Sequence, residues 1–167
     1  MSKSCIDLIL ERRSIRRYRG EAIPEEVLMK ILEAGRRSPS AANRQPWHFV
    51  VVTDEGLKAK LASGRYNRFI REAAAVIVGV ALPYDSVSRR WAVVDVTIAM
   101  QSMVLAAWVQ GVGSCWIGDF REGEVKRLLG IPDEARVIAL LTLGIPAETP
   151  PLRPKRRLEE IVHHNQW

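Results

Sequence analysis

The chain has 167 residues, of which 47% are hydrophobic, and it carries a formal net charge of +6. This length and apolar content are typical of one domain whose core needs no disulfide support. The two cysteines lack CxxC spacing and nearby histidines, which argues against a disulfide framework or a zinc site and favours a reducing, cytoplasmic setting. No charged and apolar leader pattern opens the sequence, so secretion is not expected.

Periodicity and breaker residues predict an alternation of helices and strands. Pro24 followed by two glutamates indicates a helix start, because proline tolerates the first turn and carboxylates favour the positive end of the helix dipole. Asp54 is a helix cap, and Gly130 closes a later helix. In chain order, the predicted helices cover residues 5–11, 24–37, 54–62, 90–110 and 122–129, and the predicted strands cover residues 47–53, 75–82, 115–117 and 136–143.

The longest uncharged stretch, residues 96–118, invites comparison with a membrane span. It contains Thr97, Gln101 and Gln110 and has three glycines near its end, so its apolar core is shorter than the roughly 20 residues that a spanning helix requires. The stretch therefore predicts a buried central helix, and no membrane partner is expected. Residues 147–157 are rich in proline and basic residues, which favours a tail that runs over the surface.

Two segments carry the functional signal, residues 12–19 and residues 38–47. The first contains Arg12, Arg13, Ser14 and Arg16, and guanidinium groups are planar, permanently charged donors that match phosphate oxygens. Taken alone, such arginines are more typical of a solvated basic face or a nonspecific nucleic-acid contact than of a phosphate site. The second segment is a loop of small and amide side chains that can lie flat against a planar heterocycle. Together they favour a phosphate-bearing cofactor, on which the basic residues 153–157 can also converge.

Residues 12–16, 39–47 and 113–118, in this order and spacing, resemble the FMN-dependent nitroreductase family. The similarity runs nearly end to end, since residues 143–146 and 155–162 look like the last strand and tail of that family. The resemblance implies an α+β fold with a central, mostly antiparallel sheet flanked by helices, in an intertwined homodimer with FMN sites at the subunit interface. It implies a single FMN-binding domain over residues 1–167, whose tail 147–167 extends over the partner subunit.

The resemblance also assigns site residues by position. The FMN phosphate and ribityl chain are implied to contact Arg12, Ser14 and Arg16, with Arg13 nearby and either Lys155 or Arg156 returning to the phosphate. The loop that reaches the flavin ring from the other subunit corresponds to Pro39, Ser40, Ala41 and Asn43, with Gln45 as a further polar contact. Asn67 matches an amide at the pyrimidine edge of the flavin. A backbone amide near flavin N5 is implied by Trp116, Ile117 and Gly118, although core packing explains Trp116 equally well.

The implied activity is a two-electron, ping-pong transfer from NADH or NADPH through flavin N5 to a small flat acceptor such as a nitroaromatic, a quinone or a flavin. The cofactor carries this chemistry, so no catalytic side chain and no metal are expected. Cys115 is expected to be an inert buried thiol, and His48, His163 and His164 are expected to be structural. Two alternatives stay open: an FMN-binding or storage module without turnover, and a basic nucleic-acid-binding protein.

Overall fold

The computed structural model describes residues 4–167, and its elements follow the predicted order. The helices in this part of the chain are α1 Cys5–Glu11, α2 Glu25–Arg36, α3 Glu55–Leu61, α4 Ser86–Val109 and α5 Glu122–Leu129. The strands are β1 Trp47–Val52, β2 Ala75–Ala81, β3 Gly113–Ile117 and β4 Arg136–Gly144. Three short 3₁₀ turns cover Ala41–Asn43, Arg68–Glu72 and Leu158–Glu160. The predicted α+β class is confirmed.

Side-chain caps set two of the helix starts. Asp54 accepts a hydrogen bond from the Leu57 N–H at 2.8 Å and caps α3, as predicted. The prediction that the long helix starts at residue 90 is wrong, because a capping box begins α4 one turn earlier. In this box Asp85 accepts from the Ser88 N–H at 2.7 Å, and the Ser88 hydroxyl accepts from the Asp85 N–H at 3.0 Å.

The four strands form one antiparallel sheet in the order β1-β2-β4-β3. β1 and β3 are therefore edge strands, and β2 and β4 are central. All seven residues of β2 are buried, as expected for a strand that is covered on both faces. At the β3 edge, Gly113 lies opposite Gly144 and Ile117 lies opposite Leu140. The predicted antiparallel sheet is confirmed.

Helices cover both faces of the sheet. Successive side chains of a strand point to opposite faces, so Ile77 and Leu141 belong to the core under α2 and α4. Their neighbours Val76 and Leu140 belong to the opposite core, which α3 and α5 close. The domain therefore has three layers. The ends and edges of the sheet are not covered by these helices, and other segments of the chain pack there.

The longest helix, α4, has 24 residues and is long and apolar enough to cross a membrane by length and composition. In this structure its inner face, with Met100 and Met103, packs against α2 and the sheet as a core helix. Trp91 and Ile98 remain exposed on its outer face. The predicted buried helix within residues 96–118 is confirmed: α4 ends at Val109, one residue before the predicted end, and the chain then turns into β3.

Candidate functional site

The basic segment, residues 12–19, runs extended along one end of the sheet. The Ile15 N–H donates to the carbonyl of Ser114 in β3 at 2.9 Å, and Ser14 forms a parallel bridge with Ser114. Further on, the Arg19 N–H donates to the Ile145 carbonyl at 3.0 Å. These bonds fix which side chains turn inward: Ile15 is buried, whereas Ser14 is partly accessible.

Tyr18 anchors the same segment to the core. Its side chain is 6% exposed, and its hydroxyl lies 2.7 Å from the Ile15 carbonyl and 2.7 Å from the Thr142 hydroxyl of β4. Burial raises the pKa of Tyr18 above its ordinary value of 10.0, so the phenol stays protonated and available as a donor. Glycines permit this close approach: a Cβ on Gly113 would lie 2.8 Å from Ile15, and one on Gly144 would lie 2.6 Å from the Tyr18 ring.

The segment and the C-terminal tail enclose a cavity of about 450 Å³. Most of its polar lining residues are basic or carry a hydroxyl, and they come from both ends of the chain: Arg12, Arg13, Ser14, Arg16, Arg153 and Lys155. Arg156 does not line this cavity, because its guanidinium donates to the Glu160 carbonyl at 2.7 Å. The structure thus brings together the predicted phosphate ligands of the N-terminal segment and Lys155.

The cations of this cavity differ in how far they are already engaged. Arg13 donates through Nε to the Pro150 carbonyl at 3.0 Å and also contacts the Glu11 carbonyl, so it holds the tail against the segment. The side chains of Arg12 and Arg16 make no hydrogen bond or ion pair within residues 4–167. Two guanidinium groups with open donors therefore lie beside a lysine and a serine hydroxyl, and these are groups whose chemistry suits a doubly charged anion.

The second predicted segment forms a strained loop between α2 and β1. Ala42, Asn43 and Gln45 have positive φ angles of 48°, 55° and 50°. Residues other than glycine and asparagine rarely adopt this left-handed region. Alanine and glutamine in it therefore indicate that contacts with the rest of the protein impose the conformation of the loop. Pro39, Asn43 and Gln45 are exposed, and Ser40 and Ala41 are partly exposed.

Helix α4 supplies the groups that hold this loop. The Ala41 N–H donates to Asp95 Oδ1 at 3.0 Å, and the second carboxylate oxygen of Asp95 is buried without a partner among the described residues. The other two ties are the bond from the Ser38 hydroxyl to Ser102 Oγ at 2.7 Å and the ion pair between Arg44 Nε and Asp85 Oδ2 at 2.6 Å. Hydrogen bonds from Ser88, together with Arg44, lower the pKa of Asp85 to about 2.

Asn67 and Gly118 lie close together at the other end of β3. Asn67 is fully buried, and its amide donates to the Leu61 carbonyl at 3.2 Å and to the Asp119 carbonyl at 2.8 Å. Its Oδ1 accepts no hydrogen bond within the described residues, so an acceptor remains open there. Gly118 is exposed, and a Cβ added to it would meet nothing within 4 Å.

Other predicted residues fall in separate environments. Ile117 is buried in the core, whereas Trp116 is 38% exposed and so does not belong to the core. Burial raises the pKa of the Cys115 thiol, which is free and buried, in keeping with an inert role. Among residues 4–167, no three His, Cys, Asp or Glu side chains cluster as a metal site.

Sequence reasoning missed the groups that position the site. Tyr18, Thr142, Asp85 and Asp95 all act by contacts between elements far apart in the chain. A signal was present for Asp95, the one carboxylate within the apolar stretch of α4. A buried charge in such a stretch is retained only when it has a partner, and here that partner is the loop.

The residues present fit FMN on three observations. The basic cavity suits a phosphate monoester, the unpartnered Asn67 Oδ1 suits a ring N–H, and open space at Gly118 allows a planar ring to approach the backbone. Fold and site together define an α+β domain with a cavity lined by basic residues at the end of an antiparallel sheet.

Comparison with known proteins gives the family. The model described as "Nitroreductase family" matches residues 9–64 and 60–145. A relative from Archaeoglobus fulgidus, provisionally named NADH dehydrogenase/NAD(P)H nitroreductase, is 34% identical over 178 residues, covering 99% of each chain. This chain therefore belongs to the nitroreductase family.

Solved structures agree with that membership. The NADPH:FMN oxidoreductase of Vibrio harveyi, solved with NAD⁺, superposes with a TM-score of 0.92 at 28% identity and covers 98% of this chain and 77% of its own. Nitroreductase A of Vibrio parahaemolyticus also gives a TM-score of 0.92, at 28% identity, over 100% of this chain and 77% of its own.

Proposed function

We propose that this protein is a cytoplasmic, FMN-dependent oxidoreductase that takes two electrons from NADH or NADPH and passes them to a small flat acceptor. The observation that carries the proposal is the convergence of Arg12, Ser14, Arg16 and Lys155 on one cavity, in which neither the Arg12 nor the Arg16 side chain has a partner among the described residues. Nitroreductase relatives whose names include NAD(P)H support the electron donor. The NADPH:FMN oxidoreductase among the solved neighbours supports the cofactor.

The residues of the chain bind and orient, and bound FMN would supply the hydride chemistry. Arg12, Ser14 and Arg16, with Lys155, would hold the phosphate, and Asn67 Oδ1 would accept a hydrogen bond from the pyrimidine edge of the bound cofactor. Gly118 leaves space for the ring and brings a backbone amide near it. No side chain acts as an acid or base, and donor and acceptor occupy the same open face in turn, which gives ping-pong kinetics.

A homodimer completes the proposed site. The loop with Pro39, Ser40, Ala41, Asn43 and Gln45 presents its accessible side chains outward, as a loop that serves the ring of a partner subunit requires. On the outer face of α4, Trp91, Val94 and Ile98 are 41%, 44% and 38% exposed, which suits an interface with a second copy. The tail 147–167, exposed throughout residues 151–167, extends over the partner in this proposal.

The first test is the absorbance spectrum of the purified protein, followed by anaerobic addition of NADH and then of NADPH. A flavin band that bleaches supports the proposal and identifies the donor. A flavin band that neither donor bleaches would favour a binding or storage module. Absence of flavin even after reconstitution with FMN would refute the proposal, and steeply salt-dependent binding to DNA would then favour the nucleic-acid alternative.

The assignment of Arg12 and Ser14 to the FMN phosphate is tested with a double variant and a matched control. The double variant Arg12→Ala/Ser14→Ala is expected to weaken FMN binding about 100-fold, since each charge-assisted hydrogen bond contributes roughly 1.5–3 kcal/mol. Arg17→Ala removes an exposed arginine of the same segment that does not line the cavity, and it is expected to retain FMN. Equal FMN dissociation constants for the double variant and the wild type would contradict the assignment.

A further inference from the structure

Two hydrogen bonds form a latch between the loop at residues 63–67 and the residues that follow β3. Asp119 Oδ2 accepts a hydrogen bond from the Tyr66 N–H at 2.8 Å, and the Asp119 carbonyl accepts from Asn67 Nδ2 at 2.8 Å. A Cβ on Gly64 would lie 2.7 Å from Asp119 Oδ2, so the Asp119 side chain lies close against the backbone of the loop. Because Asp119 follows Gly118 directly, this latch places Tyr66 beside the open backbone at Gly118.

The tip of this loop displays an aromatic ring and a cation. Tyr66 is 71% exposed, and the guanidinium carbon of Arg65 lies 5.3 Å from the centre of its ring. Within the described residues, the Arg65 guanidinium has no carboxylate partner and the Tyr66 hydroxyl has no hydrogen bond. The cation–π contact therefore holds the cation over the ring while its donors still face solvent.

The charge around this tip is positive. Arg68, on the following 3₁₀ turn, is exposed, and the one carboxylate in direct contact with the loop, that of Asp119, is engaged by the Tyr66 N–H. Arg121, which comes just after Asp119, is paired with Glu124 at 2.9 Å and so contributes little. The Asp119 carboxylate keeps its charge beside Gly118, so the exposed Arg65 and Arg68 leave the loop with a net positive charge, and an anion that approaches from the loop side meets Arg65 at the tip.

We propose that Arg65, presented on Tyr66, selects negatively charged aromatic acceptors for this enzyme. The inference rests on the proposed function, since it takes the reacting ring to lie at Gly118. Tyr66 offers a face on which a flat acceptor stacks, and Arg65 pairs with a carboxylate, sulfonate or phosphate on that acceptor. For a nitroaromatic acid the overall reaction is ArNO₂ + NAD(P)H + H⁺ → ArNO + NAD(P)⁺ + H₂O, in which the nitro group is reduced and the nicotinamide is oxidised.

The test compares two acceptors of similar size, 4-nitrobenzoate and the neutral 4-nitrobenzamide, with FMN-loaded protein. Arg65→Gln is expected to lower kcat/KM for the benzoate about two- to fivefold and to leave the benzamide unchanged, the range that an exposed charge contributes. The loss is expected to shrink at high salt, because the pair is screened. Arg68→Gln, which removes a nearby exposed arginine that does not lie over the Tyr66 ring, is the matched control and is expected to change the ratio of the two values less than Arg65→Gln does.

The role of Tyr66 is tested by its effect on kcat/KM for both acceptors. Tyr66→Leu is expected to lower kcat/KM for both acceptors by a similar factor of about 2 to 10, because stacking does not depend on the charge of the acceptor. Asp119→Asn keeps the size of the latch and is expected to retain the preference for the benzoate.

Several outcomes would overturn the inference. These are an unchanged benzoate-to-benzamide ratio in Arg65→Gln, an equal change in Arg68→Gln, or a loss confined to kcat/KM for NAD(P)H, which would assign Arg65 to the donor. Anaerobic bleaching of the flavin by NAD(P)H is measured on every variant, so failure of the selectivity is distinguished from failure of the proposed function. Protein that binds no FMN, or that NAD(P)H does not reduce, would refute both.

Discussion

Tyr18→Phe tests how the basic segment is fixed to the sheet. The tyrosine hydroxyl and the Thr142 hydroxyl have two protons for three contacts, at 2.7 Å to the Ile15 carbonyl, 2.7 Å between the hydroxyls, and 3.3 Å from Thr142 to the Cys115 carbonyl. Both short contacts are satisfied when Tyr18 donates to Ile15 and Thr142 donates to Tyr18. The variant keeps the aromatic ring and removes the central atom of this chain.

The expected loss in the free energy of unfolding is about 2 kcal/mol. The ring stays in place, so the buried apolar area is unchanged and the loss comes from the hydrogen bonds alone. The Ile15 carbonyl is left without its donor in the core, which costs about 1–3 kcal/mol. Thr142 can turn to the Cys115 carbonyl, so the second bond is largely replaced and the value stays in the middle of this range.

The assay is urea unfolding of apoprotein at one fixed protein concentration, because the stability of an oligomer depends on concentration. Thr142→Val and the double variant complete a thermodynamic cycle, with an expected coupling of about 0.5–1 kcal/mol between the two hydroxyls. A loss below about 0.5 kcal/mol in Tyr18→Phe, at the lower edge of a hydrogen-bond contribution, would refute the idea that this hydroxyl anchors the segment.

The stability difference between wild type and Tyr18→Phe is also expected to depend on pH in the alkaline range. Burial holds the pKa of Tyr18 in the folded state above its ordinary value of 10.0. Its contribution to stability is therefore fully present below pH 10.0 and is lost as the pH rises further, where the unfolded chain ionises first. Phenylalanine has no such ionisation, so the stability difference between wild type and Tyr18→Phe should narrow above pH 10.0. A constant difference from pH 9 to pH 11 would contradict the burial argument.

Two further variants test the loop anchor and the glycine contact. The pKa of Asp85 is lowered from 3.8 to about 2, so its contribution is present above pH 3.8 and is lost as the pH falls through 2. Asp85→Asn should therefore be less stable than wild type at pH 7, with urea midpoints that converge between pH 4 and pH 2; parallel midpoints would count against it. In Gly144→Ala the new methyl lies 2.6 Å from the Tyr18 ring, so thermal unfolding should show a loss of about 1–3 kcal/mol, whereas an unchanged melting temperature would mean that the ring moves freely.

Much of the fold is predictable because its signals are local. Asp54 and Gly130 each set an end of a helix through contacts within a few residues, and α5 begins and ends where the sequence indicates. The sequence pattern places the start of α4 too late. The capping box has Ser88 as the third residue after the N-cap, where glutamate or glutamine is the recognised signal. The sequence also does not indicate that β3 starts at Gly113, because glycine disfavours a strand. Glycine is required at this position because the Ile15 side chain packs directly against it.

The candidate site is less predictable because its geometry depends on contacts between distant residues. The loop at residues 38–46 was selected by its residue types, yet its shape is set by Asp95 and Ser102 of α4. No pattern within the loop indicates that Ala42 and Gln45 adopt positive φ angles, because both residue types favour the opposite sign. Such strain exists only when the rest of the fold imposes it.

The basic segment shows why the arginines alone could not distinguish a ligand site from a solvated surface. In the structure Arg13 bonds to Pro150, 137 positions away, and the Arg16 N–H bonds to Glu148 at 2.8 Å. These contacts bring the tail back and turn an exposed row of cations into a walled cavity. The cavity therefore depends on the position of the tail, which supplies Arg153 and Lys155, as well as on the arginines of the basic segment.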